Sequence, residues 1–156
     1  MPDRIATVAL IAIIALIAGC WTGAPPPSPS VPAPAAPRVG FPLHSVWMGR
    51  YRCNQGVSAA RLTIDAEPTG HATIRYEFGP IAENPDQPSG AYELEGTLRN
   101  TGGSSFEGEF EARRWIEQPD GYFMVGLTVE TVRSARRLRG TLDHESCSDF
   151  EVHRVR

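Results

Sequence analysis

From about residue 46 onward, apolar and polar positions alternate with a period of two. Ala72, Ile74, Tyr76 and Phe78 are separated by polar Thr73, Arg75 and Glu77. Leu62 and Ile64 alternate with Arg61, Thr63 and Asp65, and Tyr92, Leu94 and Leu98 with Glu93, Glu95, Thr97 and Arg99. Further runs are Phe106 and Phe110 among glutamates, Leu138 and Leu142 among arginines, and Phe150 and Val152 before His153. Trp47, Tyr51 and Cys53 share one face of a first strand, with Gly49 between them. Strict alternation is the signature of strands with one buried face. Phe123 to Val129 departs from it, being apolar at both parities. That run predicts either the most buried strand or a segment that touches something outside the domain.

Turn residues separate the runs. Pro68-Thr69-Gly70, Asn100-Thr101-Gly102-Gly103 and Pro119-Asp120-Gly121 are turn sequences, and Gly79 to Gly90 forms a long connection with three prolines. About eight short strands at this spacing predict an all-β domain over residues 46–156, an antiparallel barrel or sandwich. A barrel closed by pairing its first and last strands would bring Cys53 close to Cys147.

The first forty-five residues have a different character. Ile5 to Gly19 is an apolar stretch of about fifteen residues, too short for a spanning helix of about 20. It ends in Leu16-Ile17-Ala18-Gly19-Cys20. This segment resembles the lipobox of bacterial lipoprotein signal peptides. The resemblance implies that residues 1–19 are a signal peptide removed before Cys20. It further implies that the Cys20 thiol carries lipid, with palmitate-type acyl chains, and that the protein is tethered to a membrane on its extracytoplasmic side. Residues 20–45 hold eight of the fourteen prolines. Proline donates no backbone N–H and fixes φ, so this linker is predicted to be an extended spacer of up to about 70 Å.

Composition narrows the function classes. The chain has 15 basic residues, all arginine, 18 acidic residues and a net charge of −3. That balance argues against nucleic-acid binding, which requires a concentrated basic excess. Beyond Cys20 the chain has one cysteine pair, Cys53 and Cys147. Outside the cytoplasm such a pair predicts a disulfide. A monomer is expected.

Known catalytic and metal patterns are missing from the sequence, so an enzyme, a cofactor and a bound metal are not expected. Asp143-His144-Glu145-Ser146 groups a base, two acids and a hydroxyl, but neighbours in extended chain do not converge on one point. Five glutamates (Glu93, Glu95, Glu107, Glu109, Glu111) crowd residues 91–112 against Arg99 alone. Arg133, Arg136, Arg137 and Arg139 form a basic stripe in residues 131–142. Two readings follow: the stripes neutralise each other on a solvated surface, or the acidic face meets a basic protein partner. The proline-rich 79–90 connection is the best loop for binding, with Glu83, Asp86 and Ser89 as candidate contacts. Arg114 and Trp115 are candidate interface anchors on another loop.

Tyr51-Arg52-Cys53, Ser89-Gly90-Ala91-Tyr92 and the late Cys147 are similar to residues of the lysozyme-inhibitor lipoproteins of bacteria. That likeness implies a small tethered barrel with a disulfide, in which Ser89 and Tyr92 belong to a loop entering the lysozyme cleft. The spacing Gly49-x-Tyr51-x-Cys53-x-Gln55-Gly56, with Arg114-Trp115-Ile116 and Gly121-Tyr122, also resembles uncharacterised domains of exported bacterial proteins. The leading expectation is a non-enzymatic, lipid-anchored β-domain acting through protein or envelope contacts. The alternative is a small-ligand-binding barrel, for which a cavity lined by Trp47, Tyr76 and Tyr92 would be the mark.

Overall fold

The structure, a computed structural model, describes residues 41–131 and 136–156. The proposed signal peptide, Cys20, nearly all of the linker and Arg133 lie outside the described residues. Eight strands follow in order: β1 (His44–Cys53), β2 (Gly56–Ala66), β3 (His71–Gly79), β4 (Gly90–Gly102), β5 (Ser105–Glu117), β6 (Leu127–Thr131), β7 (Arg137–Leu142) and β8 (Phe150–Arg154). Each pairs antiparallel with its neighbours in sequence, and β1 pairs with β8 to close a barrel. The sandwich alternative is thereby ruled out.

Register follows the alternation. In β3 the buried residues are Ala72, Ile74, Tyr76 and Phe78, while Arg75 between them is exposed. The interior of an eight-stranded barrel is just wide enough for side chains to fill. Here large residues are accommodated by glycines beside them: a Cβ on Gly140 would strike the Thr128 carbonyl and the Phe150 ring. The first turn is tight, with Cys53 facing Gly56 across two residues and Gly56 at φ 101°. A side chain is strained at that φ, and glycine is not.

The seam between β1 and β8 is short, running from Trp47 opposite Arg154 to Arg50 opposite Glu151. Flanking bonds extend it at both ends. Val46 N donates to Arg156 O at 3.0 Å, and Ser148 N donates to Arg52 O at 2.8 Å. Beyond Ser148, Cys53 and Cys147 come to disulfide distance, their Cα atoms 4.0 Å apart.

The two barrel ends differ. At the end where the chain enters, Phe41 stacks on Trp47 (centroids 6.1 Å) and meets Phe106 edge-on (5.3 Å). Trp47 is fully buried and its Nε1 donates to Ser45 Oγ at 2.9 Å. This end is plugged. The other end collects the β1–β2 turn, the 80–89 connection, residues 118–126 and the β7–β8 connection.

Two elements depart from simple alternation. Strand β5 carries register shifts against β4, with Glu93 opposite Arg114 but Leu94 opposite Ala112, and Tyr92 opposite Trp115 but Ala91 opposite Glu117. Arg113 and Ile116 are therefore extra residues, and such bulges bend a strand and re-aim its side chains. The apolar run Phe123–Val129 is not one strand: only Leu127 onward joins β6, and Phe123 is 63% exposed at the open end.

Candidate functional site

The open end encloses a cavity of about 320 Å³. Its walls come from five parts of the chain: Tyr51 and Cys53 of β1 with the turn after them, Tyr76 and Phe78 of β3, Tyr92 of β4, Tyr122 with Val125 from the segment before β6, and Leu142, His144 and Cys147 from the end of β7 and the connection after it. The strand residues among them face inward by the same two-residue period that builds the core. The rings form a continuous aromatic surface. Tyr76 lies 5.9 Å from Tyr51 and 5.2 Å from Tyr92. Phe78 stacks on Tyr122 at 5.5 Å, and Trp115 meets Tyr92 edge-on at 5.3 Å. The bulge at Arg113 makes the last contact possible. Without it Trp115, three residues after inward-facing Ala112, would project outside the barrel.

The hydroxyls divide into two groups. Tyr92 donates to Val125 O at 3.1 Å, and Tyr122 accepts from Gln87 Nε2 at 3.0 Å. The hydroxyls of Tyr51, Ser58 and Tyr76 form a separate cluster. Ser58 Oγ and Tyr76 OH are buried and find no hydrogen-bond partner among the described residues. Burial pushes all three tyrosines, Tyr51, Tyr76 and Tyr92, above the ordinary phenol pKa of 10.0. For Tyr51 the nearby Ser58, Gln55 and Tyr76 side chains partly oppose that rise. The rings are therefore neutral at physiological pH and offer hydrogen bonds, not charge.

The 80–89 connection is pinned over this end. Asn84 Nδ2 lies within hydrogen-bonding distance of Gln55 O (3.2 Å), Val57 O (3.1 Å) and Gln87 Oε1 (3.3 Å), and Gln87 is only 5% exposed. Glu83 pairs with Arg50 at 3.0 Å; its own backbone N–H, with Arg50, holds its carboxyl below the usual range. On the opposite rim, His144 accepts a bond from the Ser146 backbone N–H at 3.2 Å through Nδ1, which also lies 2.6 Å from Ser146 Oγ. Its ring packs against exposed Phe123 with centroids 5.0 Å apart.

The sequence candidates thus fall in different places. Asp86 and Ser89 are exposed on the pinned connection, and Glu83 is exposed beside Arg50. Tyr92 is not on that loop but inside the barrel, 2% exposed. Trp115 lies half-buried against the cavity wall, while Arg114 sits outside, bonded to both oxygens of Glu93 at 3.0 and 2.7 Å. Of the three rings expected to mark a ligand cavity, Tyr76 and Tyr92 line it, and Trp47 fills the plugged end instead. Tyr51, Tyr122 and Val125 were not singled out as ligand contacts. Tyr51 was visible as an inward residue of β1, whereas the placement of Tyr122 and Val125 depends on a loop with no periodic signal.

Part of the acidic face is neutralised by arginines of its own two strands. Glu95 and Glu111 stand directly opposite each other on β4 and β5, and Arg113 bridges them at 3.2 Å to each. Arg99 reaches Glu107 at 3.4 Å. The charge is compensated mainly within β4 and β5, with Arg137 turning instead to Glu151 of β8 at 3.5 Å. A broad, shallow depression on the wall between β4–β5 and β6–β7 keeps Glu109, Asp143 and Glu145 along it. Among the described residues, no three His, Cys, Asp or Glu side chains are grouped to hold a metal ion. No protein-family model matches the chain, and neither does any curated protein.

Proposed function

We propose that this protein is a membrane-tethered, extracytoplasmic binding barrel whose open end takes up a small, uncharged, largely apolar molecule. The observation that supports this is the aromatic cavity of about 320 Å³ at the disulfide end. Ligand sites are concave, mostly apolar and supplied with a few polar groups, and barrel mouths are a common place for them. Connectivity is compatible with a tether. The described chain enters the barrel at Phe41, at the plugged end, so the linker joins the domain away from the mouth. The reading draws its localisation from the lipobox resemblance, and mass spectrometry of envelope-isolated protein tests that part. An acylated amino-terminal Cys20 is the expected result; an intact leader would remove the tether.

The binding part is tested with a neutral fluorescent naphthalene dye such as prodan. Titration into purified residues 41–156 should shift its emission to the blue, and Val125→Trp, which fills the mouth, should abolish the shift. Emission that stays at its position in water, or persists unchanged in Val125→Trp, would remove the cavity as the site. A second reading, docking of a lysozyme-type enzyme, is favoured by exposed Ser89 and Asp86 on a pinned connection. Under it the purified domain slows lysozyme digestion of cell wall and Ser89→Ala relieves the effect.

A further inference from the structure

We infer that the hydroxyls of Tyr51 and Tyr76 in the mouth cavity, backed by Ser58, recognise one hydrogen-bonding group on an uncharged ligand of one or two rings. This rests on reading the cavity as a ligand site, and it adds the chemistry by which a ligand is chosen.

Three observations carry it. First, the cluster is built by register. Tyr51 and Ser58 are direct cross-strand partners on β1 and β2, and the Tyr51 and Tyr76 rings meet at 5.9 Å and 65°. Tyr51 and Tyr76 line the cavity itself. Second, the cluster is short of partners where the rest of the interior is not. Trp47 has Ser45 and Tyr92 has Val125, whereas Ser58 Oγ and Tyr76 OH, the two buried side-chain polar atoms without a well-formed hydrogen bond among the described residues, have only the Tyr51 hydroxyl beside them. A buried hydroxyl without a partner costs stability, and a phenylalanine at 76 would avoid the cost. Such groups in a native interior call for a reason, and an unfilled recognition role supplies one. Third, no aspartate, glutamate or arginine lines the cavity, and His144 is its one ionisable side chain besides the tyrosines. A charged ligand would lose water without a permanent counter-charge, so an uncharged one fits. The volume is about twice that of an engineered cavity of about 150 Å³ known to take benzene, so a ligand of one or two rings fits.

The cluster then acts as a selector. An apolar ligand gains only ring contact, while one carrying a hydroxyl or carbonyl also gives Tyr76 a well-formed hydrogen bond that it otherwise lacks. A site built this way discriminates against the analogue lacking the polar group.

The experiment uses naphthalene and 2-naphthol, which differ by one hydroxyl, competed against prodan on residues 41–156. The wild type should bind 2-naphthol about tenfold tighter than naphthalene. Tyr76→Phe should bring that ratio below about threefold, and Ser58→Ala should lower it in the same direction. The melting temperature of Tyr76→Phe should equal or exceed that of the wild type, because an unsatisfied group has been removed. A wild-type ratio near unity, a ratio untouched by Tyr76→Phe, or a lower melting temperature would overturn the selector while leaving the cavity as an apolar site. Failure of both compounds and of prodan to bind would overturn the ligand reading itself.

Discussion

Replacing Cys53 and Cys147 together by alanine removes a covalent tie across the barrel seam, and its cost can be worked from chain connectivity. The two residues are 94 apart in sequence. Cross-linking removes loop-closure entropy from the unfolded chain, and for a loop of this size the chain-entropy relation gives about 4.7 kcal/mol at 25 °C. The folded side should change little. The seam keeps its β1–β8 register and the flanking Ser148–Arg52 and Val46–Arg156 bonds without the bridge. We therefore expect a loss of about 3–5 kcal/mol, a large part of the roughly 5–15 kcal/mol that holds a domain of this size. The expected readout is equilibrium urea unfolding followed by tryptophan fluorescence, since Trp47 is fully buried and reports the plugged end far from the bridge. The variant should unfold at a lower midpoint and with a steeper slope, because its unfolded chain is no longer held compact. A loss below about 1 kcal/mol would refute the argument. So would two titratable thiols in the oxidised wild type.

Other outcomes follow from the same structure. Stability should fall as pH rises above 10: Tyr51, Tyr76 and Tyr92 have raised values when folded, so above 10.0 the unfolded chain ionises first and gains. Denaturation at pH 9 and 11 should show the drop, and Tyr92→Phe should flatten it; a pH-independent midpoint across that window would contradict the burial. Gly140→Ala should destabilise by about 1–3 kcal/mol, since its Cβ meets the Thr128 carbonyl and the Phe150 ring, and thermal melting unchanged within a degree or so would show that β6 and β7 yield freely. Arg113→Ala leaves Glu95 and Glu111 facing each other on a half-exposed surface, so a cost under about 1 kcal/mol that shrinks in high salt is expected. A cost indifferent to salt would show that Arg113 matters only as a bulge residue.

Several readings of the chain survive contact with the fold because they rest on a local period. The inward faces of β1, β2, β3, β7 and β8 are those the alternation marks, and closure by the first and last strands brings Cys53 to Cys147. Strand β5 is where the period misleads. Ala112 and Trp115 are both directed inward though three residues apart, which a strict period of two forbids. The adjacent Arg113-Arg114 pair was the available sign of an inserted residue. The run from Phe123 was legible as unusual but not as a rim, because nothing in its composition states where β6 begins.

What the sequence alone determined is the set of inward and outward positions and the turns between them, since these depend on neighbours one or two residues apart; closure of the sheet into a barrel is decided by the long-range pairing of β1 with β8. The cavity belongs to the tertiary structure. Tyr51, Tyr76, Tyr92 and Tyr122 come from distant parts of the chain, and only barrel shear, two bulges and a pinned connection set whether such rings fill a barrel end or leave space within it. Packing of that kind is a property of volume in three dimensions, and no local pattern encodes it.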